Sequence, residues 1–165
     1  MEKKILVIGS PGSGKSYFSK QLAKITSIPV FHLDLLYWNE NWVPTPAPEF
    51  DLKLKEIMEQ SEWIIDGNFQ RTLEMRLKEA NLVYFLDLPV EVCVKAEKER
   101  RGIPRSDFPS FLNEGEDPEF VDYIREFPQK NKPIILELIK KSNVKVITIK
   151  SREEMDKYLE GLDAK

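Results

Sequence analysis

Residues 9 to 16 read GSPGSGKS and fill every fixed position of the G-x-x-x-x-G-K-[ST] phosphate-binding pattern. Gly9, Gly12 and Gly14 can take positive φ values and leave no side chain between backbone amide and ligand, so several N–H groups can converge on one polyphosphate. A helix beginning near Gly14 adds unpaired amides and the positive end of its dipole. A hydrogen bond to a charged group contributes about 1.5–3 kcal/mol, and the dipole about 0.3–1 kcal/mol at an exposed site. The converging donors therefore outweigh the dipole. Lys15 is placed to reach the β- and γ-phosphates and the Ser16 hydroxyl to ligate Mg²⁺, with Ser10, Pro11 and Ser13 completing the cradle.

Such a loop needs a strand before it and a helix behind it. Ile5 to Ile8 is a continuous apolar run, and Phe18, Leu22 and Ile25 recur at the spacing of one helix face. Further strand candidates are Ile28–Leu33, Glu62–Asp66, Leu82–Asp87 and Val144–Ile149. Between them, Phe50, Leu54, Ile57 and Met58 mark an amphipathic helix, and further helices are expected over 72–80 and from Pro89 to Arg101. Residues 39–48, with Trp42 and prolines at 44, 46 and 48, read as a loop. From Gly102 to Pro118 there is no periodicity, which predicts a long loop or lid. Helices follow over 119–127, where Pro128 breaks the pattern, and over 134–141. Ser151 to Glu154 is an S-x-x-E capping box that opens a last helix carrying Met155, Tyr158, Leu159 and Leu162 on one face.

Strands separated by helices throughout predict an α/β fold, a parallel sheet covered on both faces. Ligands of such sheets bind beyond the carboxyl ends of the strands, which singles out Asp34, Asp66 and Asp87. Asp66 ends an apolar strand beside Gly67-Asn68 and is assigned to Mg²⁺, through water; Asp87 is read as structural. Asp34 can bind an acceptor's hydroxyl or position its attacking oxygen. The nearby Tyr37, Trp38 and Trp42 either stack on a base or sugar or pack on the core as a hydrophobic patch. His32, with no partner visible in the sequence, reads as a packed strand residue.

Arginines carry the remaining signal. Guanidinium groups grip phosphate oxygens in bidentate fashion, and a lid arginine can neutralise charge on a transferring phosphoryl group. Arg101 and Arg125 are assigned to that transfer, Arg100 and Arg105 to holding the donor nucleotide, and Arg71 and Arg76 are candidates for the acceptor side. Glu97 and Glu99 leave open a second reading of some of them as solvated helix pairs, worth about 0.5 kcal/mol or less.

At 165 residues, 41% hydrophobic and 32% charged, the chain is expected to form one domain with a real core. No apolar run approaches the ~18 residues of a membrane helix. Met1-Glu2-Lys3-Lys4 leads straight into the first strand without a signal-peptide pattern. Cys93 is the sole cysteine, which excludes a disulfide framework and reads as a small core residue. These features predict a cytoplasmic protein, monomeric or homodimeric. A net charge of −3 argues against direct DNA binding, which draws on a basic excess.

With these parts in place the chain resembles the adenylate-kinase-like P-loop small-molecule kinases, and most of all the branch often labelled "DNA topology modulation protein". The likeness runs nearly end to end. It rests on GSPGSGKS, His32-Leu33-Asp34 with Trp38, Trp63-Ile64-Ile65-Asp66-Gly67-Asn68, Phe127-Pro128 and Asn131-Lys132-Pro133. The resemblance implies a P-loop NTPase fold with five parallel strands in the order 2-3-1-4-5 and an ATP site at the loop. It also implies an acceptor-binding region over about 34–62 and a short lid over about 100–126. Adenylate kinases proper carry Asp-Gly-Phe-Pro-Arg where this chain has Asp66-Gly67-Asn68-Phe69-Gln70-Arg71, so the acceptor, a nucleotide or another small molecule, stays open. A lid without cysteines excludes the zinc-bearing version. The expectation is ATP- and Mg²⁺-dependent transfer of the γ-phosphoryl group. The alternatives are a nucleotide-dependent regulator and an ATPase without a small-molecule acceptor.

Overall fold

A computed structural model describes residues 2–100 and 118–165. Seven strands and eight α-helices follow in the order β1 (Lys4–Gly9), α1 (Lys15–Thr26), β2 (Val30–His32), α2 (Leu33–Tyr37), β3 (Trp38–Asn39), β4 (Val43–Pro44), α3 (Ala47–Met58), β5 (Trp63–Asp66), α4 (Gln70–Glu79), β6 (Leu82–Leu86), α5 (Val90–Arg100), α6 (Pro118–Lys130), α7 (Lys132–Ser142), β7 (Lys145–Ile149) and α8 (Arg152–Asp163) among the described residues. Five strands form one sheet in the order β2-β5-β1-β6-β7, every pairing parallel. Counting only these five in chain order gives 2-3-1-4-5, the expected arrangement.

The central strands are buried on both sides, and their side chains alternate between two separate cores. Ile5, Val7, Ile64, Leu82, Tyr84 and Leu86 point to one face, where Phe18 and Leu22 of α1, Val94 of α5, and Met155 and Leu159 of α8 cover them. Leu6, Ile8, Trp63, Ile65, Val83 and Phe85 point to the other, under α3, α4 and α7. Fully burying one such side chain is worth about 1.5–3 kcal/mol, and the four residues from Ile5 to Ile8 are all at most 2% exposed. The strand that delivers the glycine loop is thus anchored in both cores.

Two local expectations change. Residues 39–48 are not simply a loop: Trp38 pairs with Pro44 and Asn39 with Val43 in a small antiparallel hairpin. Its turn puts Asn41 and Trp42 at φ near +60°, a left-handed stretch that sequence periodicity does not register. Pro128 does not break its helix, because α6 continues to Lys130 and the proline falls in the last turn. There it removes a single intrahelical donor, and Asn131 N–H caps Phe127 C=O at 3.0 Å. The capping box at Ser151 holds: its hydroxyl accepts from the Glu154 amide at 3.1 Å, while the Glu154 carboxylate accepts from the Lys150 amide at 3.3 Å. No helix among the described residues is long and apolar enough to cross a membrane.

Candidate functional site

β1 feeds the loop from the middle of the sheet, and α1 starts directly after Gly14. Close approach fixes the glycines as firmly as conformation does. A Cβ on Gly9 would lie 2.4 Å from the Leu86 carbonyl oxygen; one on Gly12, at φ +79°, would lie 2.3 Å from that of Cys93. The Ser13 hydroxyl is buried with no hydrogen-bond partner among the described residues. An orphaned polar atom inside a glycine cradle is what an anionic ligand's oxygen would satisfy, so the loop fits a phosphate chain.

Lys15 folds back over this cradle, its Nζ donating to the carbonyls of Gly9 at 3.1 Å and Ser10 at 3.0 Å. Burial pulls its ammonium down to about 8, against the opposing pull of the Asp34 and Asp66 carboxylates; the positive charge of Arg100 acts with burial. Three other residues singled out in the sequence, Asp34, Asp66 and Arg100, thus act electrostatically on Lys15.

Asp66, 7% exposed, is held by two partners the sequence did not reveal. Its Oδ2 accepts from the Ser19 hydroxyl at 2.6 Å and lies 2.5 Å from His32 Nδ1. His32 thus has a partner after all, and the reason is register: His32 and Asp66 are opposite residues where β2 pairs with β5. Ser19 sits on α1 one turn beyond Ser16, whose carbonyl oxygen is 3.1 Å from the Ser19 hydroxyl. Among the described residues no three His, Cys, Asp or Glu side chains gather as a metal cage. One hydroxyl and one carboxylate beside a phosphate cradle suit Mg²⁺, which keeps most of its waters and takes its other ligands from phosphates.

Asn68 braces the loop from the side. Its Oδ1 accepts from the Gly9 amide at 3.2 Å and its Nδ2 donates to the Gly9 carbonyl at 2.7 Å. Burial raises the Tyr123 phenol of α6 above the usual range, with Asn68 opposing and the Asp34 carboxylate reinforcing the shift. Arg152, at the start of α8, donates to the Gly12 carbonyl at 3.3 Å. Neither residue carries a sequence signal; each arrives from an element distant in the chain.

The arginines sort differently from expectation. Arg76 is no acceptor ligand: it is fully buried and donates to the backbone carbonyls of Gly67 and Phe69, each at 3.0 Å, and of Asn68. It holds the turn in which Phe69 is forced to φ +34°. Burial lowers its guanidinium to about 9, with Asp66 opposing. Arg71 forms a two-pronged pair with Asp51, at 3.1 and 2.7 Å. Arg125 is not brought to the loop: it binds Glu91 at 2.6 Å, beside an open groove of about 350 Å³ that Val94, Lys95, Lys98 and Glu99 also line. Arg101, Arg105 and most of the expected lid lie outside the described residues. Asp87 pairs with Lys132 at 2.7 Å, and the Cys93 thiol is buried 3.1 Å from the Ser10 hydroxyl.

On the expected acceptor side, Tyr37 packs inward against Phe50 and Phe69, with ring centroids 5.9 and 4.9 Å away. Trp38 and Trp42 meet edge-on at 5.2 Å, and Trp42 is 42% exposed. Tyr37 packs against the core, while the tryptophans form an outward ledge on the hairpin.

Comparison with known proteins agrees with this architecture. No protein-family profile matches the chain. A 75-residue stretch, 46% of the chain, is 33% identical to the adenylate kinases of Thermotoga petrophila and Thermotoga maritima. It spans 33% of the length of those relatives. The shikimate kinase of Acinetobacter baumannii, solved in complex with shikimate, superposes with a TM-score of 0.62 at 16% identity, over 98% of this chain and 93% of that one. The shikimate kinase of Bacteroides thetaiotaomicron gives 0.61 at 17% identity, over 99% and 98%. At such identities the likeness establishes the fold alone, the one these two shikimate kinases share.

Proposed function

We propose that the chain is an ATP-dependent kinase that moves the γ-phosphoryl group to a small acceptor, a nucleotide or a related hydroxyl-bearing molecule. One observation carries this reading: the ammonium of Lys15 closes over a glycine cradle, within the electrostatic reach of Asp34 in α2 and of Asp66 at the end of β5. The loop amides and Lys15 hold the β- and γ-phosphates; Ser16, and Asp66 through water, would hold Mg²⁺, which would supply charge neutralisation for the transferring group. The acceptor oxygen forms its bond to the γ-phosphorus as the bond to the β–γ bridging oxygen breaks. Asp34 orients the attacking hydroxyl and takes its proton. Arg100, whose positive charge is felt at Lys15, is a candidate for sharing the donor's charge. Arg101 and Arg105 are candidates for the same work, whereas Arg125 would have to leave Glu91.

Phosphorus NMR on a panel of nucleoside monophosphates, nucleosides and sugar acids tests the assignment. The expected result is a new phosphoester signal with one acceptor class; ADP and inorganic phosphate alone in every tube would make the chain an ATPase. The resemblance to the topology-modulation branch supports a second, regulatory reading, which the net charge of −3 disfavours. An electrophoretic shift of DNA persisting at physiological salt would favour it.

A further inference from the structure

We propose that His32 and Ser19 are positioning residues that lock one oxygen of the Asp66 carboxylate and thereby reserve the other for the hydrated metal accompanying the nucleotide. The inference rests on the donor-site reading above. Oδ2 of Asp66 receives both donors, the imidazole at 2.5 Å and the hydroxyl at 2.6 Å. A carboxylate only accepts, so His32 presents Nδ1–H to it. Ser19 has one proton and two neighbouring acceptors. The shorter distance, to a charged oxygen rather than the neutral Ser16 carbonyl at 3.1 Å, places that proton on the Asp66 side.

With Oδ2 occupied from two directions, rotation of the carboxylate would break two charge-assisted bonds among residues at most 8% exposed. The remaining oxygen is held in one orientation. The clamp also ties together the three elements that carry the site. His32 closes β2 two residues before Asp34, Asp66 closes β5, and Ser19 lies three residues after Ser16 on α1. Groups that orient a metal's carboxylate from behind are worth 10–100-fold, as an order of magnitude, in metal affinity or activity.

The test is calorimetric titration of ADP into the full chain with and without Mg²⁺. In the wild type Mg²⁺ tightens ADP binding. In His32→Ala that Mg²⁺-dependent gain shrinks about 10–100-fold while metal-free ADP affinity stays within about twofold. His32→Asn, whose amide nitrogen can occupy the place of Nδ1, recovers most of the gain; His32→Leu, which keeps bulk but no donor, does not. Ser19→Ala loses a smaller part. A Mg²⁺-dependent gain unchanged in His32→Ala and His32→Leu overturns the clamp, as does an equal loss with and without metal. Should His32→Ala not fold, the contrast between His32→Asn and His32→Leu decides alone. A wild type that binds no ADP under either condition overturns the donor-site reading itself.

Discussion

The two sides of the site are built on different principles. On the proposed donor side, backbone geometry sets the cradle: Gly9 and Gly12 lie so close to the carbonyls of Leu86 and Cys93 that no side chain fits. On the acceptor side, side chains take that role: Asp34, Trp38 and Trp42 project from a five-residue helix and a two-by-two-residue hairpin. A cradle of amides recognises any polyphosphate and tolerates little sequence change. A ledge of side chains can be rewritten residue by residue to suit a different acceptor while the fold stays intact. The chain matches adenylate kinases in sequence over 75 residues and shikimate kinases in fold.

The contrast can be broken most decisively at Lys15. Lys15→Ala should reduce phosphoryl transfer by about 1,000-fold or more, the scale of a cation that stabilises a transferring phosphoryl group, and leave the thermal midpoint almost unmoved. Transfer that survives would remove Lys15 from the donor side. Asp34→Asn should lower kcat by about 100-fold or more, the scale of a positioned base, with ADP affinity changing only a few-fold. A loss of ADP affinity as large as the loss of kcat would merge the two sides into one.

A smaller effect sharpens the electrostatics. With its ammonium held down to about 8, free-protein Lys15 deprotonates above that pH, whereas the nucleotide's phosphates require the charged form. ADP affinity should therefore be level below pH 8 and weaken above it, by at most about tenfold per pH unit for a single proton. Calorimetry at three pH values checks this, and Lys15→Arg should abolish the dependence because a guanidinium stays charged. For folding the sign is opposite. The lowered group binds fewer protons folded than unfolded between about 8 and its ordinary 10.5, so raising pH through that window relieves a cost of burying charge.

The donor side was legible because its requirements are local. GSPGSGKS, the apolar run before it and the helix face behind it occupy adjacent residues, and the alternating strand ends pointed to Asp34 and Asp66. What stayed hidden depends on sheet register and long-range packing. His32 looked partnerless because its partner lies 34 residues away, across a strand pairing that no spacing announces. Arg76 looked like a ligand because a basic residue after a strand-end aspartate is usually solvent-facing. Its role as a staple of the 67–69 turn follows only from the carbonyls left over by Phe69's left-handed backbone. Arg152 and Tyr123 reach the site from the far end of the chain.

The contact between Gly12 and Cys93 has a practical meaning. Cys93 is the chain's only thiol, and it lies beneath the loop against the Ser10 hydroxyl. Burial raises its pKa, so in the closed form it is both shielded and mostly protonated. A thiol reagent can reach it only when the loop or α5 lifts away. Its labelling rate is thus a built-in clock for that opening, read without a mutation or an attached dye, and a nucleotide seated in the cradle would slow it.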